Sequence, residues 1–334
     1  MFTRNRIIDL LKYMASILII AIHTNLFFEI NSILNFVTVD IVCRLAVPFF
    51  AICSGYFMAR KLENKHEDSK DFFWNHWKKL FVIYIIWTII YLIRLIPEWI
   101  EFNWFSVNAF VDYGIATVIS KPYYHMWYLL SILYAIPIFA LCVKYVKKNH
   151  FKWLIIILWA VKVLSYGYNK WMPSSIINIF CLMEKFSGIR DGIFCILPLM
   201  LLGSYVYYEK EHKNSFYIFG VVISFLLLIL EAFTLRHFGQ EAVSFIVFTL
   251  VITYFLFNVI LRLKISIKSQ ACVILGRASL FIYLVHPLII ELMEKIVNNS
   301  VCFFILTTII ATVLGVIYAI IMIHLQAKKN RTLL

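Results

Sequence analysis

The stretch "DLLKYMASILIIAIHTNLFF" (9–28) is apolar enough to cross a bilayer, yet it carries Lys12 near its start and His23 near its far end. Ionisable side chains are costly in lipid and face a bundle interior or a cavity. The two positions are eleven residues apart, close to three turns at about 3.6 residues per turn, so they share one face. At ~1.5 Å rise per residue they stand roughly 16 Å apart along the axis, about half the hydrocarbon core. Ala15, Ser16 and Ile19 lie between them on that face. Small side chains there leave room for a slender ligand, or equally permit close helix packing.

The rest of the chain has the same character. Of 334 residues, 63% are hydrophobic and 15% charged, against roughly 25% charged in ordinary soluble domains. Mean hydropathy is +0.86. This composition predicts an all-α, polytopic integral membrane protein, and the apolar runs place about ten spans. They cover 8–28, 37–58, 79–97, 124–143, 153–168, 190–208, 216–235, 242–262, 272–292 and 302–325. No soluble domain stands out, so residues 1–334 read as a single helical membrane domain.

A net charge of +13 is also what a nucleic-acid binder shows, but its distribution excludes that reading. Arg60, Lys61, Lys65, Lys70, Lys78 and Lys79 crowd the second loop, Lys144, Lys147, Lys148 and Lys152 the fourth, and Arg262, Lys264 and Lys268 the eighth. Arg4 and Arg6 precede the first span, and Lys328, Lys329 and Arg331 follow the last. Glu29, Glu98, Glu101, Asp112 and Glu184 fall in odd-numbered loops. The positive-inside rule then predicts a cell-membrane protein with both termini and the even loops cytoplasmic. The basic residues also suit anionic lipid head groups.

Several functions are disfavoured. No Walker or dinucleotide glycine pattern occurs, so neither ATP coupling nor a nicotinamide site is expected. The seven cysteines hold no C-x-x-C pair and read as small core residues rather than metal ligands; no metal site is expected. The first span is too long, and lacks the small-residue site, for a removable signal peptide. The segment 59–80 reads as interfacial, with Phe73, Trp74 and Trp77 at the head groups, and the aromatic outer loop 98–123 as lying on the membrane face.

With that topology, His23, Arg44, His125, Arg190, Asp191, Glu231 and His286 fall on six helices at similar depth toward the outer face. A cavity opening outward, lined by these groups, accounts for all of them. Each also has a plainer reading. Arg190 and Asp191 fit as interfacial charges, and Arg44 as the partner of a neighbouring acid. Lys12 fits as a snorkelling charge, and His286 as the donor to a carbonyl freed by Pro287. His23 sits deepest, where a neutral imidazole suits a general base.

At these residues the chain resembles the bacterial membrane acyltransferases of the type 3 group, which include O-acetyltransferases of cell-surface sugars. "IIDLLKYMASILIIAIH" (7–23) resembles the first-helix signature, a basic residue and a histidine with ten residues between. "RLAVPFFAICSGYF" (44–57) resembles the second, ending in a Ser-Gly-Tyr turn, and "YYHMWYLLSILY" (123–134) and "GRASLFIYLVHP" (276–287) resemble two later ones. Lys12 stands where the family has arginine, and the paired arginines many sugar-modifying members carry in the third-helix region are missing. "GIRDGIFCILPLMLLG" (188–203) further resembles the membrane half of serine racemases linked to vancomycin resistance. Because the chain stops soon after its last span, racemase chemistry is not expected.

The resemblance implies transfer of an acyl group, acetyl above all, from cytoplasmic acyl-CoA to a hydroxyl-bearing acceptor at the outer face, such as a cell-envelope saccharide. Acyl-CoA is then a co-substrate, with no permanently bound cofactor. Lys12, Ser54 and Tyr56 would hold the CoA, and His23, Arg44 and His125 would serve the chemistry. Arg190, Asp191, Glu231 and His286 would meet the acceptor. The alternative is a permease for a small amino acid such as serine, with arginine on the carboxylate and Asp191 or Glu231 on the ammonium.

Overall fold

The computed structural model describes residues 5–63, 69–210, 212–240, 243–263 and 269–331. Arg4, Lys65, Lys264 and Lys268, and the side chains of Lys70, Lys329 and Arg331, lie outside the described residues, so the charge pattern rests on the remainder.

The described residues form helices and contain no strand. α1 is Arg6–Thr24: the Asn5 side chain accepts from the N–H groups of Ile7 and Ile8 at its start, and Asn25 closes it at φ 48°, both standard helix-end devices. α2 runs Ser32–Glu63, π-helical over Phe36–Val42 and 3-10 over Cys43–Leu45. α3 is Ser69–Glu101, α4 Val107–Ile119, α5 Trp127–Tyr145 and α6 Phe151–Tyr166. α7 is Ser174–Glu184, and α8 runs Ser187–Tyr208 with a π-helical stretch at Gly192–Ile196. α9 is Asn214–His237, α10 Val247–Arg262, α11 Gln270–Glu294 and α12 Ser300–Arg331.

Eight of these helices are long and apolar enough to cross a membrane, which makes the protein all-α and multi-pass. The two expected spans at 153–168 and 242–262 appear instead as the 16-residue helices α6 and α10. At ~1.5 Å per residue each reaches about 24 Å, short of a ~30 Å hydrocarbon core. α10 begins late because Glu231 captures its first N–H groups: Oε1 accepts from Val247 N and Oε2 from Phe248 N, both at 2.9 Å.

Residues 64–68 of the segment 59–80 lie outside the described residues, and the remainder supplies the end of α2 and the start of α3. Of Phe73, Trp74 and Trp77, only Trp74 is well exposed. Phe73 is buried against Phe139, 6.1 Å between centroids. The Trp77 indole donates to the Leu133 carbonyl at 2.9 Å. That carbonyl lacks its helical donor because Pro137, four residues on, carries no N–H. The loop 98–123, expected to lie on the membrane face, carries the helix α4. Hydroxyls of Tyr84 and Tyr134 donate to Thr117 and Val118 carbonyls at 2.6 Å, and that of Tyr113 to Thr88 at 2.7 Å. These bonds pin α4 to α3 and α5.

The chain divides into two compact units, Met1–Phe50 with Asn214–Ile229 and Phe255–Leu334, and Ala51–Lys213 with Leu230–Tyr254. In the first, α1 packs along α11, and α11 along α12. In the second, α2 and α8 meet backbone to backbone: a Cβ on Gly55 would collide with the Met200 carbonyl, and one on Gly203 with that of Ile52. Without water to drive association, such small-residue contacts are how membrane helices gain close packing.

Candidate functional site

In the first unit, His23 on α1 and His286 on α11 stack, with ring centroids 5.2 Å apart and planes at 30°. Three contacts hold α1 in place. Asp9, 6% exposed, lies against Gly276, where an added Cβ would fall 2.5 Å from that of Asp9. Tyr13 and Thr312 share a hydroxyl hydrogen bond of 3.1 Å. The Cys43–Leu45 turn, which carries Arg44, packs against α1.

The Arg44 guanidinium lies 3.7 Å from Asp40, one turn earlier, with side chains 37% and 34% exposed. So open a pair contributes at most ~1 kcal/mol, which leaves the guanidinium available to other anions. It also interacts electrostatically with His23. The π-helical stretch ends immediately before the Arg44 turn; such insertions are frequent at functional sites because they re-aim the residues that follow.

The face joining Lys12 to His23 is covered by protein. Ser16, Ala15 and Ile19 are 0%, 4% and 4% exposed, whereas Met14 on another face is 49% exposed. Lys12 and His23 themselves are half-buried.

The second unit holds a separate charged network. Asp191 Oδ1 accepts from Lys162 Nζ at 2.9 Å and from Arg190 Nε at 3.0 Å, while Oδ2 accepts from Arg190 Nη2 at 3.2 Å. Arg190 Nη1 donates to Glu184. Lys162 also lies over the rings of Tyr166 and Phe245, at 4.4 and 5.1 Å. Gly188 and Gly192 flank the Arg-Asp pair and let it approach α5: a Cβ at Gly192 would sit 2.7 Å from the Ser131 carbonyl oxygen. Ser131 in turn donates to the Gly188 carbonyl at 3.1 Å.

The other expected site residues have different surroundings. His125, 1% exposed, is enclosed by Tyr91, Tyr123 and Tyr124 with centroids at 4.9, 5.8 and 5.5 Å. Glu231 accepts from the Tyr168 hydroxyl at 2.6 Å as well as from the start of α10, and makes no ion pair with Arg190 among the described residues. Ser54 is half-buried on α2, and Tyr56 packs edge-on to Tyr207 at 5.5 Å. The structure thus joins His23 with His286 and Arg44, and Arg190 with Asp191.

Sequence reasoning missed Lys162, Asp9 and Asp40. The signal was available for Lys162, a lone lysine in the apolar run "FKWLIIILWAVKVLSY", since an intramembrane charge is a candidate by default.

Comparison with known proteins agrees with these motifs. An amino-acid racemase of Enterococcus faecalis is 27% identical over 340 residues, covering 97% of this chain and 46% of the relative. A second from the same organism is 22% identical, over 97% and 47%, and a serine/alanine racemase of Enterococcus gallinarum is 26% identical, over 85% and 40%. The chain therefore spans less than half the length of these relatives. No solved structure matches. A family profile described as "Acyltransferase domain" matches residues 5–324, and the chain belongs to the membrane acyltransferase type 3 family.

Proposed function

We propose that the protein moves an acyl group, acetyl above all, from cytoplasmic acyl-CoA to a hydroxyl at the outer face of the cell membrane, with both termini on the cytoplasmic side. The observation that carries this reading is the stacked His23–His286 pair beside Arg44. The His286 ring is held through Nδ1, and its plane sets that of His23.

In this mechanism the acceptor oxygen attacks the thioester carbonyl as His23 takes the hydroxyl proton. Arg44 stabilises the negative oxygen that develops. When the tetrahedral intermediate collapses, the C–S bond breaks and the proton passes from His23 to the CoA sulfur. General-base help of this kind contributes about 10²–10⁴ in rate. Lys12, at the other end of the buried face, attracts the CoA phosphates, though as a point charge rather than a planar fork. Arg190 and Asp191 are proposed as substrate contacts within the second unit. Glu231 has both oxygens occupied by protein donors, and its proposed part is to anchor α10.

The test is release of free CoA from acetyl-CoA by the purified protein, with and without a saccharide acceptor. A folded His23→Ala protein should bind acetyl-CoA yet fail to turn over. Full turnover in that variant would sink the mechanism.

A second reading, a permease for a small amino acid such as serine, is supported by the buried Arg190–Asp191 pair, whose opposite charges suit a zwitterion. Release of CoA from acetyl-CoA supports the transferase, whereas uptake of labelled L-serine into proteoliposomes without any acyl donor supports the permease.

A further inference from the structure

Lys162 is 2% exposed on its side chain, Arg190 7% and Asp191 11%. These buried groups sum to two positive charges and one negative. The fourth member, Glu184, supplies the missing charge, but its side chain is 56% exposed. It ends α7, an 11-residue helix with no buried residue. A buried guanidinium is thus neutralised by a carboxylate that reaches in from a surface helix.

We propose that Arg190 Nη1 is a binding point for the carboxylate of a small ligand, and that Glu184 occupies it as an internal substitute when the ligand is absent. Asp191 holds the Nε and Nη2 edge, and Lys162 holds Asp191, so the guanidinium is oriented before any ligand arrives. Pre-organised arginine suits planar, two-oxygen anions. Leaving such a cation uncompensated is costly, which explains why a substitute is present. Exchanging one carboxylate for another preserves the charge of the network. The inference extends the substrate contacts of the proposed function. Its test reads binding without any acyl donor, so loss of one reading is distinguishable from loss of the other.

The experiment measures thermal stabilisation of the purified protein by L-serine, propionate and L-serine methyl ester. Serine or propionate should stabilise, and the ester should not. Stabilisation by serine alone would show that the ammonium is also read; stabilisation by both, that the carboxylate suffices. Glu184→Gln should tighten binding about tenfold, the factor expected if Glu184 fills the site roughly nine-tenths of the time. Arg190→Gln leaves the neutral Lys162–Asp191 pair, so the protein should fold while binding is lost. Equal binding of ester and acid, unchanged binding in Arg190→Gln, or no stabilisation even in Glu184→Gln would each overturn the proposal.

Discussion

Tyr283 and His286 are joined by a hydrogen bond of 2.7 Å from the ring Nδ1 to the backbone carbonyl. That carbonyl lies four residues before Pro287, which has no N–H to offer it. A carbonyl oxygen only accepts, so Nδ1 carries the hydrogen, and in the neutral ring Nε2 holds the lone pair. The proline therefore sets both the tautomer and the orientation of the ring that stacks on His23. The same device recurs where Trp77 donates to the carbonyl opposite Pro137.

His286→Ala should cost ~1–3 kcal/mol, the usual penalty for stranding a buried polar group. Pro287→Ala supplies a backbone N–H to the Tyr283 carbonyl, so the double variant should recover most of that loss. Thermal unfolding of the four proteins in one cycle measures the coupling. Additive losses would show that the carbonyl and ring are not linked. Pro287→Ala alone should leave stability intact while lowering turnover, because the ring is released.

Lys12 is tested at the donor end. Lys12→Arg should preserve or raise activity, and Lys12→Ala should mainly raise the KM for acetyl-CoA. If Lys12→Ala leaves CoA affinity untouched, the residue is a snorkelling charge and the donor enters elsewhere.

The buried face of α1 offers a steric test. Tryptophan at Ala15 or Ser16, where exposure is 4% and 0%, should abolish acyl transfer in protein that still inserts and folds if the face lines the donor's path. Failure to fold would assign these residues to helix packing. Alanine at Ser16 removes only its 2.7 Å bond to the Tyr13 carbonyl and should change turnover less than threefold, within the ~0.6 kcal/mol that factor represents.

Glu231 is predicted to act through stability. Glu231→Ala strands the first N–H groups of α10 and removes a carboxylate from a helix start, a loss of ~1–2 kcal/mol. Glu231→Gln should lose less, since one oxygen still accepts. Loss of serine or acceptor binding without loss of stability would return Glu231 to the substrate site.

Orientation is open to cysteine labelling. Probes at residues 103, 171 and 298 should react from outside, and one at 149 should not; 66 and 266, outside the described residues, serve as further inner positions. Outside labelling at 149 would invert the topology and move the proposed acceptor to the cytoplasm.

Hydropathy carries the membrane-spanning, all-α class, because every backbone polar group in lipid must be satisfied within its own helix. Period arithmetic likewise carries the shared face of Lys12 and His23, since both lie on one helix. His286 beside Pro287 was legible for the same local reason. Lys162 on Asp191 and His23 on His286 were not: these pairs are 29 and 263 positions apart in the chain, and hydropathy says nothing about which helices become neighbours. The start of α10 is also a tertiary result, because Glu231 is sixteen residues from the N–H it captures. Spans follow from the local balance of apolar and polar groups, whereas partners depend on which glycine faces allow two backbones to touch, as at Gly55 and Gly203, and that is decided only when the helices pack.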